Sequence, residues 1–492
     1  MPHPFFAVRP FWRRQVDPNL LRVLRLACGA GAPSPGIFHP QYPRSRQCSV
    51  IHSLSSVLPE VQFVTRWAGH AVGTLPILLG MLLTMGTLDA ATITVGQRDG
   101  DLTGSDDRVL QQAVDRVFAE GGGTVYIKSG RYVMANSLFL RSGVDVVGLG
   151  PSPILQLADA ASSPLAEDAG YGVDRVLVTN PAGFRAGMGV AISDDRHNTA
   201  WYVCTRTITA VEGRTLVLDE ELDLDYLASR NGKVEGVVPV IFGKRVERVR
   251  LENLLADGNR SNTPALNGCR GGAIYFWKSR DCVVDNCKAR NFNGDGISYQ
   301  VSPGITITRC RAYRNAGHGI HPGSGSYNTD VSECMIEDNG DVGLFLCWRV
   351  TGSRFQDNTV INNGLDGISI GHKDTDNTFV GNTVELNGRH GVHFRAETEA
   401  NGGHRNTFED NVIRDNGQKQ PGDGVHVEGI TRDLVFKGNT IEDTQRDGRV
   451  SQRNGIFLGA GVDGVRTRGN IIQGQSGQAM VDRSGNAGNS LQ

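Results

Sequence analysis

The stretch NAGHGIHPGSGSYN, residues 315–328, packs four glycines and two histidines into one short run. Read alone, it fits a phosphate-cradling loop, a metal site or a structural turn. Its neighbours decide. The segments GGAIYFWKS, DGISYQVSP, HGIHPGSGS, VGLFLCWRV, DGISIGHKD, HGVHFRAET, DGVHVEGIT and NGIFLGAGV align on Gly272, Gly296, Gly319, Gly343, Gly367, Gly391, Gly424 and Gly455. Successive spacings are 24, 23, 24, 24, 24, 33 and 31 residues. A unit this short cannot hold a helix pair, and each shows the apolar–polar alternation of strands. Each therefore reads as one coil of a parallel β-helix, with loops expelled at the two long spacings. The opening stretch is a coil.

A second column supports this register. Counted back from the glycines it reads Cys287, Cys310, Cys334, Asn358, Asn382, Asn411, Asn439 and Asn470. Equivalent residues of successive coils stack about 4.8 Å apart, so amides in one column can hydrogen-bond along it. The three cysteines then face inward as soft ladder residues, because stacked neighbours rarely meet disulfide geometry. No CxxC pair occurs among the nine cysteines, which argues against a zinc ribbon.

Upstream, Ser105 or Asp106 can cap a helix with the apolar face Val109, Leu110, Ala113, Val114 and Val117. An open coil end exposes strand edges, and this helix fits the task of closing it. Between 151 and 245 the period is lost, and GMGVAISDD, CTRTITAVEGRTLVLDEEL and EGVVPVIFG read as antiparallel hairpins. The expected organisation is a capping helix and first coils at 92–150, a β insertion at 151–245, coils at 246–482 and a tail at 483–492.

The first ninety residues differ from the rest. Residues 1–63 are rich in Arg, Pro and Ser without periodicity, and are expected to be a leader without a stable fold. RWAGHAVGTLPILLGMLLTMGTLDAA, residues 66–91, has a basic start, an apolar stretch from Leu75 to Leu83 and small residues near Ala90. That is the pattern of an export signal over 64–91, too short and glycine-broken for a membrane span. The expectation is a secreted, periplasmic or cell-surface protein. The formal charge of −2 lacks the basic field of a nucleic-acid binder.

The capping helix followed by GGGTVYIKSGRYV, then LENLLADGN, then the coil ladder, resembles the pectate-lyase-like right-handed parallel β-helix superfamily over about residues 92–480. The resemblance implies an all-β, right-handed solenoid. It does not imply one activity, because the superfamily holds lyases, hydrolases, epimerases and adhesins. Two known site patterns are missing. His321–Pro322 lacks the carboxylates of the Asp-Pro-His-Glu-type motif of mannuronan C5-epimerases, and the polygalacturonase motifs occur only in the wrong order.

Strand alternation sorts each coil. Ser298, His321, Phe345, Ser369, His393 and His426 point outward in one column, and Gln300, Gly323, Cys347, Gly371, Arg395 and Glu428 in the next. At the strand ends stand Trp348–Arg349, His372–Lys373 and Ala396–Glu397. Arg349, Lys373 and Arg395 thus come from three successive coils and would neutralise the carboxylate of an anionic sugar. His372 or His321 would serve as the base, Trp348 or Phe345 would stack on a ring, and His393, Glu397 and Glu428 would border the substrate. Asp374 and Asp376 offer alternating oxygen ligands for a Ca²⁺, the one cofactor expected.

The favoured expectation is a monomeric exported enzyme acting on a uronate-containing polysaccharide by lyase or epimerase chemistry, with no nucleic-acid partner and no stable membrane insertion. One alternative is a glycoside hydrolase using Glu397 and Glu428. Another is a non-catalytic carbohydrate-binding or surface-structural solenoid.

Overall fold

The computed structural model describes residues 90–445 and 451–490. The expected leader at 1–63, and all but the last two residues of the expected signal, lie outside them. No described helix is long and apolar enough to cross a membrane.

Three long parallel sheets run along the molecule, of 13, 11 and 11 strands among the described residues. One coil shows the path. Ile274–Trp277 lies in the third sheet, Val283–Asp285 in the first, Lys288–Arg290 in the second, and Ile297–Gln300 returns to the third. Each strand pairs in parallel with its equivalent one coil on, as Ile297 does with Ile320 and Val284 with Ile307. This is a parallel β-helix, in the register read from the glycines.

The inward column of the first sheet stacks Phe355, Phe379, Phe408 and Phe436, with ring centroids 4.8, 4.4 and 5.3 Å apart. Fully burying each such side chain stabilises the fold by about 1.5–3 kcal/mol. Cys287, Cys310 and Cys334 are buried and unbridged. The helix α1, Asp107–Ala119, is capped by Asp106 Oδ1, which accepts from Val109 N. It buries the apolar face expected of it, Val109, Leu110, Ala113, Val114 and Val117.

The asparagine column forms a continuous ladder. Asn358 Nδ2 donates to Asn382 Oδ1, Asn382 to Asn411, Asn411 to Asn439 and Asn439 to Asn470, each at 2.9 Å. A second ladder, unexpected from the sequence, runs through Asn315, Asn339, Asn363, Asn387 and Asn416 at 2.9–3.0 Å. Asn382→Ala removes a rung whose neighbours are buried, and should cost about 1–3 kcal/mol. Thr398→Ala, on the surface, should be nearly silent in the same thermal melts. Equal melting temperatures would contradict the ladder's role.

The β insertion is shorter than expected. Its six antiparallel strands run from Ser162 to Glu235, whereas Ile154–Leu157 and Ile241–Lys244, inside the expected 151–245, pair with coils. Residues 483–490 do not form a free tail, because Ser490 bridges to Arg466 and its N–H bonds Val465 O. A loop at 258–272 leaves the second sheet after Asp257 and rejoins the third at Ile274. This loop shapes the site.

Candidate active site

The outer face of the third sheet carries the residues of interest. Phe139, Phe242, Tyr275, Ser298 and His321 follow one another in register, and Phe345, Ser369, His393 and His426 continue the column. This face is less open than strand alternation suggests. Ser298, His321, Ser369, His393 and His426 are all buried. Part of the cover is the 258–272 loop, where Gly268 O accepts from Ser298 Oγ at 2.7 Å.

The adjacent column runs Gln300, Gly323, Cys347, Gly371, Arg395, with Gly323 bridged directly to Cys347. Cys347 therefore has a residue without a side chain in the coil on either side. Long neighbours reach across both gaps. The Gln300 amide leans over Gly323, and the Arg395 guanidinium over Gly371.

Two imidazoles flank the Cys347 sulfur. His321 Nδ1 bonds Asp295 Oδ2 at 2.6 Å, both side chains being buried. His372 Nε2 meets Glu397 Oε1 at 2.8 Å. The other nitrogen of each ring, His321 Nε2 and His372 Nδ1, has no hydrogen-bond partner among the described residues, and Cys347 and Cys269 lie close by. The Cys269 S–H holds the Cys347 thiol far below its ordinary range against the effect of burial, with His321 and His372 adding to this. Burial disfavours charge on His321, but its bond to Asp295, with the nearby Cys347 sulfur, prevails and lifts it to about 9. Cys347 likewise raises His372, against partial burial.

Six buried side-chain polar atoms lack a hydrogen-bond partner among the described residues. Four of them, Gln300 Oε1, His321 Nε2, His372 Nδ1 and Arg395 Nε, belong to residues around Cys347. Buried polar groups are almost always satisfied, so this concentration singles out the surroundings of Cys347 as the candidate site.

The corner after Cys347 adds cations. Trp348, Arg349, His372 and Lys373 all have φ between +48° and +72°. The left-handed region costs a side chain about 1–2 kcal/mol, and it recurs at this corner of the preceding coils, at Lys278, Val301 and Ser324. Here it turns Trp348 onto His372, with centroids 5.2 Å apart, and leaves Arg349 and Lys373 exposed. Neither cation forms an ion pair among the described residues. Both line a groove of about 500 Å³ with Tyr327, Thr351, Thr375 and His404.

Several expected roles change. Arg395 is not a free cation. It donates to Ser369 Oγ and Leu346 O, both at 2.8 Å, and pairs with Asp374 at 3.4 Å. Phe345 cannot stack on a sugar, because His318 stacks on its ring at 4.1 Å and Arg395 lies 4.7 Å from its centroid. Trp348 remains open. Asp374 and Asp376 do not form a calcium pair. Asp374 is fully buried, accepts from Val350 and Gly371 N–H, and is pushed up to about 7 by that burial against the Arg395 charge. Asp376 lies outside and holds Arg405 at 2.7 and 2.8 Å.

His393 and Glu428 belong to a second network further along. His393 Nδ1 faces Asp366 at 3.0 Å, and Glu428 bonds His426 Nε2 at 2.9 Å. There His390, Asp423 and His426 bring ligand atoms within 4.8 Å of one another. Most of their capacity is already used. Asp423 is held by His426, Arg453 and Asn454, and His390 Nδ1 accepts from Asp423 N.

Sequence reasoning missed Asp295 and Cys269. A signal existed for Asp295. It stands immediately before an aligned glycine, and His321 stands two places after the next one, a pattern repeated by Asp366 and His393.

Comparison with known proteins agrees on architecture. The family model described as right handed beta helix region matches residues 272–427 and 351–492. Mannuronan C5-epimerase AlgE2 of Azotobacter vinelandii is 23% identical over 283 residues, covering 55% of this chain and 19% of the relative. AlgE4 of the same organism is 23% identical, covering 54% of this chain and 34% of the relative. The chain thus spans about a third or less of these relatives. The solved A-module of AlgE4 superposes with a TM-score of 0.52 at 17% identity, covering 81% of this chain and all of that module. By its fold, and by the family model that matches its coils, the chain is a right-handed parallel β-helix.

Proposed function

We propose that this chain is an exported enzyme of anionic polysaccharides that removes the C5 proton of a uronate residue, the step shared by epimerases and lyases. The observation that carries the reading is the set of unpartnered buried atoms around Cys347. Arg395 Nε–H and His372 Nδ1–H are donors without an oxygen partner, as a substrate carboxylate requires. Charge develops on that carboxylate as the C5 proton leaves, and donors fixed in advance stabilise it. Arg349 and Lys373 would hold neighbouring uronates, with Trp348 stacking on a ring. The residues succeed one another along the solenoid axis, which suits a polymer. The named activity of the epimerase relatives supports the same chemistry.

Hydrolysis is less well supported, since it needs two available carboxylates. Glu397 is bound to His372 and Glu428 to His426.

The test is incubation with a panel of uronate and neutral polymers in D₂O. Magnetic resonance reports exchange at C5, ultraviolet absorbance reports an unsaturated product, and a reducing-end assay reports hydrolysis. C5 exchange on a uronate polymer is expected. Reducing-end release without exchange, or preference for a neutral glycan, would overturn the proposal.

A further inference from the structure

The second network, around Glu428, holds chemistry that the proposed function leaves unused. His393 and His426 are neighbours in register on adjacent coils. Glu428 follows His426 by two places, where alternation returns to the same face. The three side chains converge. His426 Nε2 lies 2.9 Å from Glu428 Oε1, and His393 Nε2 lies 3.8 Å from Glu428 Oε2. Both rings are buried, and the carboxylate is half-exposed.

The far side of each ring is set in the same way. His426 Nδ1 faces Asp423 Oδ2 at 2.6 Å, and His393 Nδ1 faces Asp366 Oδ2 at 3.0 Å. Arg389 grips Asp366 at 2.8 and 2.6 Å, and Arg453 grips Asp423 at 3.1 and 2.9 Å, which keeps both carboxylates charged. Arg389 Nη2 also lies 3.0 Å from His393 Nδ1, but a guanidinium cannot accept, so a hydrogen on that nitrogen goes to Asp366. A carboxylate behind Nδ1 keeps the ring hydrogen there and leaves the Nε2 lone pair free, the arrangement that backs metal-bound imidazoles. His426 is also held in place, because His390 stacks on it at 4.2 Å and Phe457 at 4.6 Å.

We infer that His393 Nε2, His426 Nε2 and the Glu428 carboxylate form a binding site for one divalent transition-metal ion of the zinc type. Two imidazoles and a carboxylate suit Zn²⁺ and its transition-metal neighbours, whereas Ca²⁺ asks for about six to eight oxygens. The spacing fits. Two imidazoles sharing one ion at about 2.1 Å and a tetrahedral angle have centroids about 5 Å apart. Those of His393 and His426 are 5.8 Å apart. The ion takes the place of the hydrogen between His426 Nε2 and Glu428, and the exposed side of Glu428 leaves a fourth position open to water. His390 is no ligand, because Asp423 N–H occupies its Nδ1 and the ring hydrogen then stays on Nε2. The site stands two coils beyond Cys347 and takes no part in the proposed C5 step.

The test uses the full chain, stripped with a chelator, and Zn²⁺ alone as the probe. No polysaccharide enters it, so its failure is distinct from failure of the proposed function. Equilibrium dialysis with metal analysis should find one Zn²⁺ per chain at micromolar free metal. Glu428→Gln, at the surface, should fold as wild type does and weaken binding by at least the 10–100-fold that loss of an outer partner typically costs, roughly. His393→Gln with Glu428→Gln should abolish it. Saturating Zn²⁺ should raise the melting temperature of wild type and leave that double variant unmoved. Co²⁺ in place of Zn²⁺ should give visible bands of a four-coordinate nitrogen–oxygen site without a thiolate charge-transfer band. Absence of bound Zn²⁺ at micromolar concentration, unchanged binding in the double variant, or a thiolate band in the Co²⁺ spectrum would overturn the assignment.

Discussion

Asp295→Asn should lower turnover by about 10²–10³ and also remove an alkaline step from the stability profile. The two effects share one cause. Asp295 accepts from His321 Nδ1 at 2.6 Å and from His318 N at 2.8 Å, under the 258–272 loop. Asparagine keeps the shape and loses the charge. His321 then stays buried without its anion, and its proton affinity falls.

The sign follows from the shift. His321 rises from 6.5 in the unfolded chain to about 9 in the fold. Its contribution is therefore fully present below pH 6.5 and is lost as pH rises through about 9. A shift of that size corresponds to on the order of 3 kcal/mol. Thermal melts from pH 6 to 10 should show wild type losing stability over the upper part of that range. Asp295→Asn should start lower, by about 3–5 kcal/mol for a broken buried pair, and stay flat. Asp366→Asn is the matched control, since Asp366 holds His393 and Arg389 in the second network. It should melt early as well, yet keep its turnover. An Asp295→Asn enzyme with wild-type turnover would remove His321 from the site altogether.

The fold was legible because its information is periodic. Aligned glycines and an amide column repeat every coil, and a wrong register would disagree with itself several times. The site was only half legible. His321, His372, Arg349, Lys373 and Trp348 stood out through their positions on the strands and corners. Arg395 stood out too, but the sequence could not say that Ser369, Leu346 O and Asp374 already hold it. Alternation gives the side of a strand, not what covers it. The cover comes from a loop with no periodicity, and that loop brings Cys269 to Cys347 across 78 positions of sequence. The calcium reading failed for a related reason. Alternating spacing puts Asp374 and Asp376 on one side of an extended strand, but the chain turns a corner there, with His372, Lys373 and Asp376 all in the left-handed region.

Gly268→Ala should disable the site by sterics alone. A Cβ at Gly268 would lie 1.6 Å from Asp295 Oδ2 and 2.7 Å from His321 Nδ1, far inside contact distance. Asp295 is fixed by its own bonds, so the 258–272 loop must lift. The loop then loses the Ser298 Oγ–Gly268 O bond and carries Cys269 away from Cys347. Overpacking of this kind costs about 1–3 kcal/mol, so the variant should fold and melt somewhat early. Turnover should fall much further than stability, because the lifted loop no longer covers Asp295 and His321. Gly170→Ala is the control, since a Cβ there would meet only Asp225 Oδ1 at 3.8 Å. Its melting temperature and turnover should both match wild type. Hydrogen exchange should show increased opening at 258–272 in Gly268→Ala. Full turnover with an unchanged loop would mean that the loop does not cover Asp295 and His321 in the working enzyme.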